Sequence, residues 1–174
     1  MNNIRKLVVI AASFAALAAC ARTAPTAAGS AADETAARAV NIAWFKAYNA
    51  GDGGGVAALY AEDAVLNAPG APAARGMASI REYFMKSAAA AAAAGVALVD
   101  GPTSDVGVSG DLAWQSGTFK ITDKSGAALD AGKYITVFQR KDGKWMIIRD
   151  TWNADGAPAA PAAPTAAPAA AAPK

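Results

Sequence analysis

The sequence predicts one α+β domain in which helices come first and an antiparallel sheet follows. Two observations support this fold class. Apolar residues recur every three or four positions up to Gly95, and the period then changes to two. Asp142-Gly143 also stands between two apolar runs, where glycine supplies the positive φ of a tight hairpin. Helices followed by antiparallel strands favour a layer of helices on one face of a curved sheet.

Three helices are predicted in the first half of the domain, over residues 33–49, 52–60 and 77–94. Ser30 or Asp33 supplies the side-chain cap of the first helix, and Asp52 caps the second. Three glycines weaken the first turn of the second helix, and Gly95 ends the third in the left-handed conformation. Residues 64–66 form a brief strand between the second and third helices.

Five further strands are predicted after Gly95, over residues 96–99, 104–108, 112–122, 134–140 and 145–152. A two-residue hairpin loop would place Ile135 opposite Asp150 and Lys133 opposite Trp152 on one face. A three-residue loop with a bulge would instead shift this pairing by one residue and separate Lys133 from Asp150. Both faces of the hairpin are partly apolar, which suits helices on one side and a partner subunit on the other.

The segments that flank the domain predict an envelope protein. A positive start and a short apolar run lead to Leu17-Ala18-Ala19-Cys20, which resembles a bacterial lipoprotein box. This resemblance implies cleavage after residue 19, a lipid on Cys20 and, because residue 21 is Ala, an outer-membrane anchor facing the periplasm. We predict a signal at 1–19, a flexible tether at 20–32, the domain at 33–155 and an Ala/Pro-rich, disordered tail at 156–174.

Composition excludes several chemistries. The chain has no His and only Cys20, so zinc sites, His-dependent triads and disulfides are not expected. No Asp-x-Asp-x-Asp spacing suggests another metal, and no cofactor is predicted. Four of the 16 basic residues lie in the flanking segments, whereas all 14 acidic residues lie in the domain. The domain therefore has a net charge of about −2. That charge disfavours nucleic acid as a partner.

Several short strings together resemble the SnoaL-like branch of the nuclear transport factor 2-like superfamily, which includes ketosteroid isomerase. They are Asn49-Ala50-Gly51-Asp52, Leu59 to Ala64, Gly76 with Ile80, Gly132-Lys133-Tyr134, Asp142 to Trp145 and Asp150 to Asn153. The resemblance implies a cone, in which three N-terminal helices pack on a strongly curved antiparallel sheet that encloses a pocket. It also implies a homodimer.

The isomerase pattern differs from this sequence at its reacting groups. The resemblance puts the family's general-base aspartate on Ala68, its oxyanion tyrosine on Trp44 and its protonated aspartate at or beside Ile135. A methyl group accepts no proton, and positioned proton transfer contributes about 10²–10⁴-fold in rate. Ketosteroid isomerase chemistry by the family mechanism is therefore not expected.

Asp150 is the candidate acid/base or ligand contact, because a carboxylate is unexpected in mid-strand between Ile148 and Trp152. The structural alternative is an ion pair with Lys133 or Arg149, or a bond to the backbone. The remaining candidates for pocket lining are Trp44, Tyr48, Tyr60, Trp114, Lys133 and Trp152. For the aromatic residues among them, plain core packing is the alternative.

Three functions remain open on this evidence. The first is a lipid-anchored protein that binds a small apolar or amphipathic ligand without isomerase chemistry. The second is an isomerase- or cyclase-type enzyme that uses Asp150 with Tyr60 or Lys133. The third is a protein-interaction module that docks through the open sheet face, and a pocket filled by Trp44 and Trp152 would favour it.

Overall fold

A computed structural model of the protein describes residues 30–156. Three helices are present, α1 (Ala31–Asn49), α2 (Gly53–Ala57) and α3 (Gly76–Ala94). Six strands complete the domain, namely β1 (Tyr60–Asn67), β2 (Ala74–Arg75), β3 (Ala97–Ser109), β4 (Leu112–Thr122), β5 (Ala128–Lys141) and β6 (Lys144–Ala154). The predicted signal, Cys20, most of the tether and the tail after residue 156 lie outside the described residues.

The helices follow the predicted caps closely, with two corrections at their ends. Helix α1 begins at Ala31, inside the segment predicted as tether, because the Ser30 hydroxyl accepts from the Asp33 amide at 3.2 Å. Asp52 caps α2 through the Gly55 amide at 2.7 Å. That helix ends at Ala57, since the chain already pairs as β1 from Tyr60.

The strands form one curled sheet in the order β2-β1-β6-β5-β4-β3. Most neighbours are antiparallel, as predicted, but β1 runs parallel to the last strand, β6. The β1–β2 pair is antiparallel, and the two-residue strand β2 was not predicted. The runs at 96–99 and 104–108 are one strand, β3, with an irregularity in its pairing to β4 between Asp100 and Ser104.

The β5–β6 hairpin has the predicted two-residue loop, but its predicted register is wrong beyond Ile147. Asp142 and Gly143 have φ of 50° and 76°, which is the primed-turn conformation. Phe138 pairs with Ile147, and Val137 then pairs with Arg149, so Ile148 is an extra residue in β6. The remainder of β6 is therefore shifted by one residue, but the shift comes from a bulge within the strand and not from a three-residue loop.

All three helices lie against one face of the sheet and cover the apolar core. Tyr60, Leu66, Ile80, Phe84 and Phe138 are at most 1% exposed. Helix α2 packs tightly on α3, because a Cβ on Gly53 would lie 2.3 Å from the Phe84 carbonyl oxygen. This arrangement leaves a space between the helices and the sheet, where the candidate site lies.

A candidate ligand-binding cavity

A cavity of about 210 Å³ lies between α1, α3 and the inner face of the sheet. Aromatic residues supply half of its lining. They are Trp44, Phe45, Tyr48, Tyr83, Phe84, Phe119, Tyr134 and Trp152. The aliphatic lining residues are Pro69, Leu98, Ile121, Ile147 and Ala154, and the polar ones are Asn41, Thr136 and Asp150. The cavity therefore suits a compact ligand with an apolar body and few polar groups.

Asp150 is the acidic group on this wall and is 7% exposed. The hydroxyl of Tyr60 donates to its Oδ2 at 2.5 Å, and the hydroxyl of Thr136 donates to its Oδ1 at 3.0 Å. Trp44 Nε1 donates in turn to the Tyr60 hydroxyl at 3.0 Å. Each of these donors is uncharged, so Asp150 is held by hydrogen bonds and has no ion pair within residues 30–156.

Burial controls the ionisation of this carboxyl group. It raises the pKa of Asp150, because a charged carboxylate loses its hydration, and the bonds from Tyr60 and Thr136 oppose that rise only in part. Burial and the neighbouring carboxylate also raise the pKa of Tyr60 well above its usual value. Tyr60 therefore stays protonated and donates its hydrogen bond to Asp150.

A second set of polar groups lies at another part of the wall. Asn41 Nδ2 donates to the Tyr134 hydroxyl at 3.0 Å, and that hydroxyl donates to Asp100 Oδ1 at 3.1 Å. Burial, followed by the Asp100 charge, raises the pKa of Tyr134 to about 12. Gly117 gives the Tyr134 ring its space, since a Cβ there would lie 2.7 Å from the hydroxyl oxygen.

Four of the residues predicted for the pocket lie on its wall, namely Trp44, Tyr48, Asp150 and Trp152. Trp44 and Tyr48 stack with their ring centres 5.1 Å apart, one helical turn from each other on α1. Tyr60 is fully buried and does not line the cavity, but its hydroxyl reaches it through Asp150. The aromatic side chains leave a volume of about 210 Å³ unfilled, so they do not close the cavity.

Lys133 and Trp114 do not lie on the cavity wall, which corrects their predicted position. The bulge pairs Lys133 with Asn153, and the Lys133 ammonium bonds Asp155 at 2.6 Å on the surface. Trp114 is 43% exposed on the outer face, where a Cβ on Gly107 would meet its indole at 2.5 Å. The alternative of an Asp150 ion pair with Lys133 or Arg149 is also wrong, because Arg149 is exposed and bonds the Ile148 carbonyl.

The three positions given by the isomerase resemblance hold no equivalent chemistry. Ala68 follows β1 and precedes the wall residue Pro69, so the base position carries only a methyl group. The Trp44 indole N–H is already bonded to Tyr60. Ile135 points outward and is 46% exposed, whereas its neighbour Thr136 faces the cavity.

Several wall residues were not predicted. They are Asn41, Phe45, Pro69, Tyr83, Phe84, Leu98, Phe119, Ile121, Tyr134, Thr136, Ile147 and Ala154. Two of them had a signal in the sequence. Asn41 stands in the apolar stripe of α1 between Ala37 and Trp44, and Thr136 shares the inner side of β5 with Phe138. A polar group among buried positions marks a site in the same way that Asp150 does.

Two further observations bear on the class of protein. No three Asp, Glu or Cys side chains within residues 30–156 are grouped so that they could hold a metal ion. Over the same residues, none of the helices combines the length and hydrophobicity needed to cross a membrane.

The helices, the curled sheet and the cavity between them define a domain of the nuclear transport factor 2-like class. The chain belongs to the SnoaL-like domain family, whose profile matches residues 42–148, more than half of its length. This agrees with the family and the fold class that the sequence resemblance implied. A comparison with curated proteins gives no match.

Solved structures show the same fold. A nuclear transport factor 2-like protein with a cystatin-like fold from Novosphingobium aromaticivorans is 22% identical, with a TM-score of 0.63 over 70% of this chain and 80% of that one. A ketosteroid isomerase-like protein from Erwinia carotovora atroseptica is 22% identical, with a TM-score of 0.56 over 74% and 100%. A Novosphingobium aromaticivorans protein suggested to be an aromatic ring hydroxylase is 25% identical, with a TM-score of 0.59 over 72% and 90%.

Proposed function

We propose that this domain binds a small molecule with an apolar body, and that a polar group of the ligand meets Asp150. The observation that supports this function is a buried carboxyl group on the wall of an open, aromatic cavity. A cavity of about 150 Å³ holds benzene, so about 210 Å³ is enough for one ring with a short substituent. The suggested activity of the hydroxylase-like neighbour also concerns an aromatic ring.

Native mass spectrometry of the protein purified from its own host tests this proposal. We expect a retained small molecule, which Ala154→Phe should displace because Ala154 lines the cavity. Ala128→Phe is the matched control, since Ala128 is exposed at the start of β5 and does not line the cavity. Protein that carries no ligand, and binds no small aromatic compound on titration, would contradict the function.

The second candidate is an enzyme that uses Asp150 as acid/base. The position of Asp150 beside the cavity and the burial that raises its pKa favour this function, because proton transfer near neutral pH needs such a group. Asp150→Asn should then lower turnover at saturating ligand concentration by about 10²–10⁴-fold. Equal turnover by the wild type and the variant would show that Asp150 takes no part in the reaction.

We also propose a lipid anchor on Cys20, which would hold the domain in the cell envelope at the outer membrane, facing the periplasm. The apolar run that ends in Leu17-Ala18-Ala19-Cys20 supports this anchor. Cells grown with a labelled fatty acid should incorporate the label into the protein, and Cys20→Ala should abolish incorporation. Ser13→Ala, within the same apolar run, should leave labelling unchanged.

We further propose that two copies associate through the outer face of the sheet. Leu112, Trp114 and Ile135 are each more than 40% exposed there, on the adjacent strands β4 and β5. Exposed apolar groups so close together are typical of an interaction surface. Sedimentation should show a dimer that Ile135→Asp dissociates. If the wild-type protein is a monomer, the proposed dimer is wrong, and this face would instead dock a different envelope protein.

A further inference from the structure

The cavity wall carries an acid without a base. Asp150 is its carboxyl group, and no Lys or Arg of residues 30–156 lines the cavity. Five ion pairs occur on the described part of the chain, and each joins other residues, such as Lys133 with Asp155 and Lys141 with Asp63. When Asp150 is ionised, the cavity therefore holds a negative charge that no basic side chain of these residues neutralises.

The immediate surroundings of Asp150 stabilise this charge only in part. Its hydrogen bonds come from the hydroxyls of Tyr60 and Thr136 and from the Thr151 backbone amide, all of them neutral donors. Burial deprives a carboxylate of its hydration at a high cost in free energy, and an opposite charge at close range compensates most of that cost. A cation inside the cavity would supply that compensation, whereas an anion would add repulsion.

The aromatic wall favours the same kind of ligand. Trp44 is stacked on Tyr48, Phe84 packs edge-on against Trp44, and Tyr83 lies 6.2 Å from Trp152 between ring centres. Ring faces attract ammonium groups, most strongly where water is excluded. A ring-lined cavity that ends in one carboxylate thus offers both interactions that an ammonium group makes, together with apolar area for the rest of the molecule.

We propose that the ligand of this cavity is a small primary amine with an aromatic or short alkyl body, and that its ammonium group pairs with the Asp150 carboxylate. This inference rests on the proposed binding function and specifies its ligand class. The volume of about 210 Å³ limits the ligand to roughly one ring and a short chain. The ammonium group lies beside Asp150, and the ring lies among Trp44, Tyr83 and Trp152.

Calorimetric titration with three compounds that share a phenylethyl body tests the ligand class. The compounds are 2-phenylethylamine, 2-phenylethanol and 3-phenylpropionate, which differ in the charge at the end of the chain. At pH 7 the amine should bind at least about tenfold more tightly than the alcohol, and the anion should bind least. An alcohol that binds as tightly as the amine would overturn the proposed ligand class and leave the binding function standing. If none of the three binds, the proposed ligand class is wrong, and native mass spectrometry of the purified protein decides the binding function separately.

The pH dependence of amine binding gives a second measure on the unaltered protein. An alkylamine stays protonated across pH 4–8, because its pKa is close to that of lysine. Binding requires ionised Asp150, so affinity for the amine should rise with pH by up to about tenfold per unit until Asp150 is ionised in the free protein. Affinity for the alcohol should not rise. Amine binding that is independent of pH would argue against the ion pair.

Two variants assign the preference to Asp150. Asp150→Asn should remove the preference of the amine over the alcohol while keeping the alcohol bound. Asp105→Asn removes the same charge from an exposed position of β3 that does not line the cavity, and it should leave the preference unchanged. If both variants keep the wild-type preference, the carboxylate does not select the ligand and the proposal is wrong.

Discussion

The Tyr60 hydroxyl links Trp44 to Asp150 in the buried core, and its removal gives the sharpest test of the site. It accepts from Trp44 Nε1 at 3.0 Å and donates to Asp150 Oδ2 at 2.5 Å. Tyr60→Phe keeps the ring and its packing but removes one hydrogen bond from the part-buried Trp44 and one from the buried Asp150. A buried group that loses its only partner costs about 1–3 kcal/mol, and a bond to a carboxylate is worth about 1.5–3 kcal/mol.

We therefore expect Tyr60→Phe to lower the free energy of unfolding by about 2–4 kcal/mol. Urea denaturation at neutral pH, followed by tryptophan fluorescence and circular dichroism, measures this change. The dependence of the free energy on urea should stay the same, because the folded and unfolded states expose the same surface as before.

Tyr83→Phe is the matched control for this experiment. Tyr83 also lines the cavity, but its hydroxyl makes no hydrogen bond to the described residues. Its loss should change the free energy of unfolding by less than about 0.5 kcal/mol. If Tyr60→Phe is no more destabilising than Tyr83→Phe, the bonds from Trp44 through Tyr60 to Asp150 do not stabilise the fold, and our account of the site is wrong.

Three further predictions concern the fold around the site. Gly53→Ala should destabilise the protein by about 1–3 kcal/mol in denaturant titrations, because its Cβ would meet the Phe84 carbonyl. Gly54→Ala in the same helix is the control, since its Cβ would make only ordinary contacts, and it should be neutral or stabilising. Since the pKa of Asp150 is raised on folding, its contribution to stability is present below about pH 4 and is lost as pH rises through the folded pKa. The melting temperature of Asp150→Asn should therefore rise relative to that of the wild type as pH rises, and a relative fall would contradict this. Ser30→Ala should cost about 1 kcal/mol by removing the cap of α1, unlike Ser30→Asp, which keeps it.

Local patterns were enough to predict the helices and the main hairpin. Gly95 has φ of 69° and ends α3, and Asp142-Gly143 forms the two-residue turn, because both positions need a conformation that glycine favours. The parallel pairing of β1 with β6 was not predicted, since no local signal distinguishes which distant strand Val65 will join. The two-residue strand β2 is too short to show the two-residue alternation by which a strand is recognised in a sequence.

The site was predicted less well than the fold, for reasons that concern side-chain direction. Asp150 was recognised because a carboxylate interrupts an apolar strand. Trp114 was predicted on the cavity wall because it is aromatic. In the structure its neighbours Ala113 and Gln115 are both buried, so alternation along β4 turns Trp114 outward. Lys133 was placed there by a hairpin register that did not include the bulge.

One extra residue in β6 decides which charge enters the cavity. Without the bulge at Ile148, alternation from Ile147 would turn Arg149 toward the helices and Asp150 toward solvent, opposite Ile135. The bulge turns Asp150 and Trp152 inward together and leaves Arg149 on the surface, where it reaches a backbone carbonyl. Burying an indole ring instead of a guanidinium group favours this register. The acidic character of the cavity, and any preference for a cationic ligand, thus follows from where β6 takes up its additional residue.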